Sequence, residues 1–348
     1  MFKEEILKSN IINEVKEKMK EFFGVSYCTM VSTGTAAIEV ALKALELPRG
    51  SKVIIPDISF IATATAVANV GLIPVYADCT QDVWGMPLSE VERLYKKYPD
   101  AKACIVVHFS GIVNRDIERI ASFCRKEKIY LIEDCAQVFG ASFQNKKCGL
   151  FGDIGTFSFQ TSKIITCGEG GMVIAEDKEL ANKIQAVSDW GLDYQENRLL
   201  SLSCGNNRIN PFAAAYLGEQ LNMCDEIFFN RRMIYEEFSK LAEEMGFEVQ
   251  FRAEQDVFSD MPFFLLLKVK HNRKGVNVLH PINEYPMHLS KLVPSIIQIQ
   301  YPDLLEEYKE IIKEQDYSGS IEMVNQTEFL PMYGVTLDNM KERFAGLL

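Results

Sequence analysis

Strand-like and helix-like segments alternate along the first part of this chain, and that alternation restricts its fold more than any other feature. "GTAAIEVALKALEL" carries apolar residues at helical spacing, and "KVIIP" is a short apolar run closed by proline. The exchange repeats in "SFIATATAVANVG" (helix), "IPVYADC" (strand), "LSEVERLYKKY" (helix), "AKACIVVHF" (strand), "DIERIASFCRKEK" (helix) and "YLIEDCA" (strand). Strands separated by helices of this length are joined by crossovers, so the pattern predicts an α/β fold around a large, mainly parallel sheet. "GTFSFQ" and "GGMVIAED" read as further strands and "KELANKIQAVSDWG" as a helix. After Asn210 the pattern changes to one long helical segment reaching about Gly246, followed by the strand-like "FEVQF" and "PFFLLLKVK". A domain change near residues 225 to 245 is expected, with a large domain over 1–235 and a smaller C-terminal α/β domain over 236–348.

Composition narrows the function classes. A chain of 348 residues buries a core large enough for an enzyme, as one large domain or two unequal ones. Its 48 acidic against 37 basic side chains give a net charge of −11, with no basic stripe, which argues against nucleic acid as a partner. The start, "MFKEEILKSNIINEVKEKMKEFFG", reads as a charged amphipathic helix rather than a signal peptide, and no apolar run spans a bilayer. A cytoplasmic protein without a membrane partner is expected. Nine cysteines, scattered through apolar segments with no C-x-x-C pair, read as small buried hydrophobes; they do not cluster with the four histidines, and no metal site is expected.

In an open parallel sheet, ligands sit beyond the carboxyl ends of the strands. "YLIEDCAQ" ends a buried strand in Glu133 and Asp134, either of which could serve a ligand or simply cap a turn. "VSTGTAAIEV" puts Ser32, Thr33, Gly34 and Thr35 at a helix start, where free N–H groups and the macrodipole suit a phosphate. The plain alternative is an ordinary helix cap. Lys163 follows a strand and precedes "CGEGG"; it could be a solvated charge, a phosphate binder or a covalent catalyst. The glycines lack the spacing of a Walker loop or a dinucleotide fingerprint. A phosphate cradle, a strand-end carboxylate and a candidate Schiff-base lysine, in that order, are together what pyridoxal 5'-phosphate (PLP) requires of a protein.

"STGTAAIEVAL", "IEDCAQVFGA", "GTFSFQTSK" and "TCGEGGMV" closely resemble, in order and spacing across roughly residues 14 to 240, the DegT/DnrJ/EryC1/StrS family of sugar aminotransferases. The resemblance implies an aspartate-aminotransferase-like fold (PLP fold type I) and PLP, or its amino form PMP, as cofactor. Lys163 matches the family's Schiff-base lysine, Ser158 a phosphate-binding serine, Asp134 the carboxylate facing the pyridine nitrogen, and Gln137 the glutamine beside the phenolic oxygen. Gly34 and Thr35 match the phosphate-binding turn. Phe60 matches the aromatic that stacks on the ring, with a plain core phenylalanine as the alternative. "GNNRINPFAAAYLGEQL" resembles a G-x-N-x-R segment whose asparagine reaches the neighbouring subunit's phosphate; alignment on Arg208 selects Asn206, although Cys204 replaces a glycine, Asn207 replaces an aromatic, and Asn207 stays open as the alternative.

A lysine rather than a histidine at position 163 favours transamination over sugar dehydration. The family's usual reaction implies glutamate as amino donor and a nucleotide-linked keto-hexose as acceptor, in a cytoplasmic homodimer with a shared active site. A PLP-dependent dehydratase or lyase and a non-catalytic PLP-binding homologue are the rival readings. Relative to the family pattern the N-terminal segment with its glycine-containing stretch is lacking, and the final third departs apart from "TEFLPMYGVTLDNMKER". "VKHNRKGVNVLHPINEYPMHL", with Arg273, Lys274, His280 and His288, is either a substrate-entrance element or a solvated loop, and Trp84 and Trp190 read as packing residues.

Overall fold

The computed structural model describes residues 10–193, 198–201, 203–250, 254–255, 258–268, 287–288, 302–313, 315–332 and 337–347. Its first helix, α1 (Ile11–Phe23), presents Val15, Met19 and Phe23 as a buried stripe at four-residue intervals. Burying such side chains contributes about 1.5–3 kcal/mol each, which fixes α1 on the core although the helix also carries six charged side chains.

The main sheet has seven strands: β1 (Cys28–Val31), β2 (Lys52–Pro56), β4 (Ile73–Ala77), β5 (Ala103–Val107), β6 (Tyr130–Asp134), β7 (Ile154–Ser158) and β8 (Gly171–Ile174), with the short β3 (Ile58–Ser59) outside it. Their order is β1-β8-β7-β6-β5-β2-β4. The pairs β2–β4, β2–β5, β5–β6 and β6–β7 are parallel, and β8 runs antiparallel to both β1 and β7. The sheet is therefore mainly parallel, as the alternating pattern predicts. Its strands are almost entirely buried apolar runs because helices cover it: α2 (Gly34–Ala44), α3 (Ile61–Asn69), α4 (Leu88–Lys97), α5 (Ile117–Glu127) and α6 (Lys178–Ser188).

The long helical segment expected after Asn210 is two helices, α7 (Pro211–Asn222) and α8 (Cys224–Glu244), broken at Met223. Met223 leaves helical geometry at φ −107° and ψ 9°, and Asp225 and Glu226 in the first turn of α8 favour a new helix N-terminus there. The expected 235/236 division falls inside α8, where Tyr235 and Phe238 are both buried. Beyond it, β9 (Glu248–Val249), β10 (Phe264–Lys268) and β12 (Thr327–Pro331) form a small antiparallel sheet in the order β9-β10-β12. The two-residue β11 (Met287–His288) pairs with β3, setting His288 opposite Ile58. Arg273, Lys274 and His280 lie outside the described residues, as does Tyr333 of "LPMY". Among the described residues no helix is long and apolar enough to cross a membrane.

Candidate active site

Neighbouring residues of a strand point to opposite faces, so the two acids ending β6 cannot serve the same purpose. Glu133 is fully buried and accepts backbone N–H bonds from Gly149 (2.8 Å), Phe151 (2.6 Å) and Gly152 (2.8 Å). Its Oε2 also meets His108 Nε2 at 3.0 Å. Because His108 Nδ1 accepts from the Asn114 N–H (3.1 Å), the proton sits on Nε2 and the imidazole donates to Glu133 as a neutral ring. Glu133 thus shapes a loop. Cys135 lies close enough to complete a three-ligand cluster with this pair, but its thiol is pushed well up by burial, and the lone pairs of His108 and Glu133 are already engaged.

Asp134 faces the other way and has fewer partners. Its Oδ2 accepts from Thr63 Oγ1 (2.9 Å), which is itself linked to Ser59 Oγ (2.9 Å), and its Oδ1 accepts from the Ala136 N–H (3.2 Å). Burial pushes this carboxyl above its ordinary value, against the pull of those hydrogen bonds and of Lys163. A cation placed against it would hold it ionised.

The helix start of α2 packs against the end of β7. Thr33 caps the helix, its hydroxyl accepting from the Ala36 N–H at 3.0 Å, which leaves the first-turn amides of Gly34 and Thr35 without intrahelical acceptors. Any side chain at Gly34 would place its Cβ 2.6 Å from Ser158 Cβ and 2.9 Å from Ser158 Oγ, so glycine is what allows this helix N-terminus and the serine to share one cradle. The segment carrying Asn206 runs alongside: Ser32 N–H donates to the Asn207 carbonyl (2.7 Å), and Val31 bridges to Arg208. Asn206 is exposed, with Oδ1 accepting from Arg208 Nε (3.0 Å), whereas Asn207 is half-buried and donates its N–H to the Ser188 carbonyl. Arg208 also covers the ring of Trp190 at 4.1 Å. Trp84 is buried as a packing residue should be; Trp190 departs from that expectation, being 49 % exposed on a turn with a guanidinium on its face.

Lys163 lies on a loop closed by Phe159 N–H to the Gly170 carbonyl and Cys167 N–H to the Phe159 carbonyl, both 2.9 Å, and tied to α7 by Thr166 N–H to Gln220 Oε1 (2.7 Å). The residue is half-buried, and burial pulls its amine down to about 8, with the Asp134 carboxylate opposing. The sequence left open a solvated surface charge; this amine is instead a buried one in the field of the strand-end acid. Its Nζ stands 4.9 Å from the centre of the Phe263 ring. Gln137 is buried with Oε1 accepting the Ser110 N–H (2.7 Å). Phe60 precedes α3 and is 36 % exposed, so it is no core residue, and its carbonyl accepts from Thr63 N–H in the turn that supplies Asp134 with its hydroxyl.

The chain matches the model of the DegT/DnrJ/EryC1/StrS aminotransferase family over residues 3–340. The chain belongs to this family. The match reaches beyond the motif-bearing stretch into the final third, where the sequence pattern departs. Among curated members of the DegT/DnrJ/EryC1/StrS family, the chain is 35 % identical over 233 residues to GDP-perosamine synthase from Escherichia coli O157:H7, covering 67 % of this chain and 63 % of that protein. It is 34 % identical over 243 residues to L-glutamine:2-deoxy-scyllo-inosose aminotransferase from Streptomyces kanamyceticus, covering 67 % of this chain and 56 % of that protein. The matched region therefore spans less than two thirds of either relative. The solved structure of NtdA from Bacillus subtilis with bound cofactor PMP shares the fold, with a TM-score of 0.79 over 98 % of this chain and 77 % of that one at 22 % identity.

Thr63, Ser110 and Phe263 were not singled out by the sequence. Thr63 had a signal, a hydroxyl three residues after Phe60 in an otherwise small apolar helix; Phe263 had none, since it sits in an ordinary apolar strand start.

Proposed function

We propose that this chain is a PLP-dependent aminotransferase that moves an amino group from glutamate to a nucleotide-linked keto-hexose. The Lys163 amine carries the reading: it is depressed to about 8 by burial and sits in the field of Asp134, itself a buried carboxylate without a cation in ion-pair contact among the described residues. When bound, the cofactor supplies a carbonyl for imine chemistry and a ring that takes up the electron pair left when the donor's Cα proton departs.

The residues present fit that group. Asp134 would hold a positive charge at the ring nitrogen, Ser158 Oγ with the Gly34 and Thr35 amides would hold the phosphate, Gln137 would sit beside the phenolic oxygen, and Phe60 would cover the ring face. Lys163 Nζ would be nucleophile and then base: an amine at about 8 is neutral in a far larger fraction near pH 7.5 than an ordinary lysine at 10.5. The names of the relatives, one carrying a GDP-linked product and one an amino-inositol reaction, support a polyhydroxylated keto acceptor.

The large and small domains, 1–235 and 236–348, belong to the same proposal, as does a cytoplasmic homodimer. Nine unpaired cysteines support a reducing compartment. Exposed Phe212 and Tyr216 on α7 and Phe229 and Met233 on α8, each pair at four-residue spacing, form apolar faces that a second copy would cover, and exposed Asn206 would reach that copy's phosphate. The test is a screen of keto-sugar nucleotides against the PMP-loaded protein, reading the recovery of the aldehyde-form absorbance, with sedimentation of the cofactor-bound protein. No recovery with any acceptor while glutamate still yields 2-oxoglutarate would remove the sugar class; no half-reaction with any amino donor would remove the transaminase.

A further inference from the structure

The stretch Ser259 to Phe263 lies about a hundred residues from Lys163 in sequence, yet every one of its five residues is bolted to the elements around the site. Ser259 Oγ accepts from Arg232 Nη2 (2.7 Å). Asp260 takes the Val113 N–H (2.6 Å) and a two-pronged grip from Arg115, Nη1 to Oδ1 at 3.0 Å and Nη2 to Oδ2 at 2.7 Å. Met261 N–H donates to the Gly111 carbonyl (2.9 Å), the Pro262 carbonyl accepts from Arg231 Nη1 (3.0 Å), and Phe263 N–H donates to the Ser110 carbonyl (3.1 Å).

The receiving loop is shaped for this strap. Ser110 and Gly111 are both left-handed, at φ 60° and 87°, and a Cβ on Gly111 would collide with the Met261 carbonyl oxygen. Ser110 also donates its N–H to Gln137, so one residue links the strap to a candidate cofactor ligand. Arg231 is pulled down to about 10 by burial, and a buried guanidinium directed at a carbonyl oxygen is a costly way to place five residues unless their position matters.

What the strap delivers to the site is one aromatic face. We propose that Phe263 is a positioning residue for Lys163: the strap holds its ring against the amine, excluding water from it while the π face attracts its charged form. This rests on the reading of Lys163 as the imine-forming residue. At 4.9 Å from the centroid the ammonium is within cation–π range, and Phe263 is itself buried and fixed edge-on against Phe264, with centroids 4.9 Å apart and planes at 89°. An aliphatic side chain there would exclude water equally well but offer the ammonium nothing. The other titratable and charged groups near this region are Asp134, which attracts the ammonium, the neutral His108 near Asp134, and Asp260, Arg115 and Arg231, which hold the strap.

The experiment uses the full-length chain stripped of cofactor, with acetic anhydride as the probe and the pH dependence of Lys163 acetylation read by peptide mass spectrometry against the other lysines. In wild type the midpoint is expected near 8. Phe263→Leu keeps the apolar cover and loses the π face, so its midpoint falls by about half a pH unit or more, and Phe263→Tyr restores the wild-type midpoint. An unchanged midpoint in folded F263L, or an equal fall in F263Y, overturns the proposal. Should F263L lose the native melting transition, F263M is read by the same criteria. Borohydride reduction of the PLP-loaded wild type separates the two levels: no adduct on Lys163 sinks the reading of the lysine itself, whereas an adduct together with an unmoved F263L midpoint sinks the role of Phe263 alone.

Discussion

Two buried carboxylates, Asp134 at the end of β6 and Asp260 on the strap, are answered differently by the chain around them. Asp260, on the strap, is pushed up by burial but answered within the chain by the Arg115 guanidinium and the Val113 N–H. Asp134, at the end of β6, is also pushed up by burial but answered, among the described residues, by a threonine hydroxyl, a backbone N–H and the field of Lys163. A closed ion pair fixes a segment in place and has no capacity left for a ligand. A buried carboxylate without a touching cation is stabilised by one that arrives, and a protonated ring nitrogen has the right charge. On this reading Asp260 is scaffold and Asp134 is poised for binding, although both are buried carboxylates.

The largest expected effect falls on the amine in the field of Asp134. Lys163→Met lowers turnover by about 10³-fold or more in an assay of 2-oxoglutarate formation from glutamate, because both the proposed nucleophile and the proposed base are lost. The carboxylates then come apart by readout. Asp134→Asn lowers turnover on the order of 10²-fold while leaving the melting temperature of the cofactor-free chain unchanged or higher. Asp260→Asn costs about 3–5 kcal/mol in denaturant unfolding, because Arg115 is left partly buried without its counter-ion. If both variants lose stability equally, the distinction between the two carboxylates fails.

Stability against pH gives a third measure. The Lys163 amine has a folded value of about 8, below the 10.5 of the open chain, so the unfolded state holds the extra proton between those values and stability rises with pH across that window. Below about pH 8 the buried charge opposes folding in full, by up to about 3 kcal/mol, and Lys163→Met should stabilise the cofactor-free chain there but not above pH 10.5. Urea titrations of both proteins at pH 7 and pH 10.5 read the difference; an equal gap at the two pH values contradicts a buried amine. The smallest change is Thr63→Val, which removes the hydroxyl donated to Asp134 and costs about 1 kcal/mol, with a modest further rise in the Asp134 pKa.

Much of the Asp134 side of the site was legible residue by residue. Alternating apolar runs and amphipathic helices specified the parallel order of the large sheet, since a strand followed by a helix can rejoin a sheet only by a crossover. Gly34, Ser158 and Asp134 lie at a helix start or strand ends that the pattern located, and Lys163 on the loop that follows one of those strands, so their meeting at one edge follows from the topology. The choice between Glu133 and Asp134 did not follow, because adjacent acids look alike until the strand assigns them to faces and the loop at 149–152 occupies one of them. The break at Met223 was hidden because both helices carry continuous helical composition on either side of it.

The amino-acid order alone determined the layered sheet, the helix start facing it and the identity of the lysine, because each depends on periodicity or neighbours within a few residues. Tertiary structure decided which acid is engaged, how far the amine is removed from water, and which ring covers it. Those depend on atoms a hundred or more positions apart: the burial that sets a proton affinity and the hydrogen bonds that fix a strap come into being only when the chain has closed on itself.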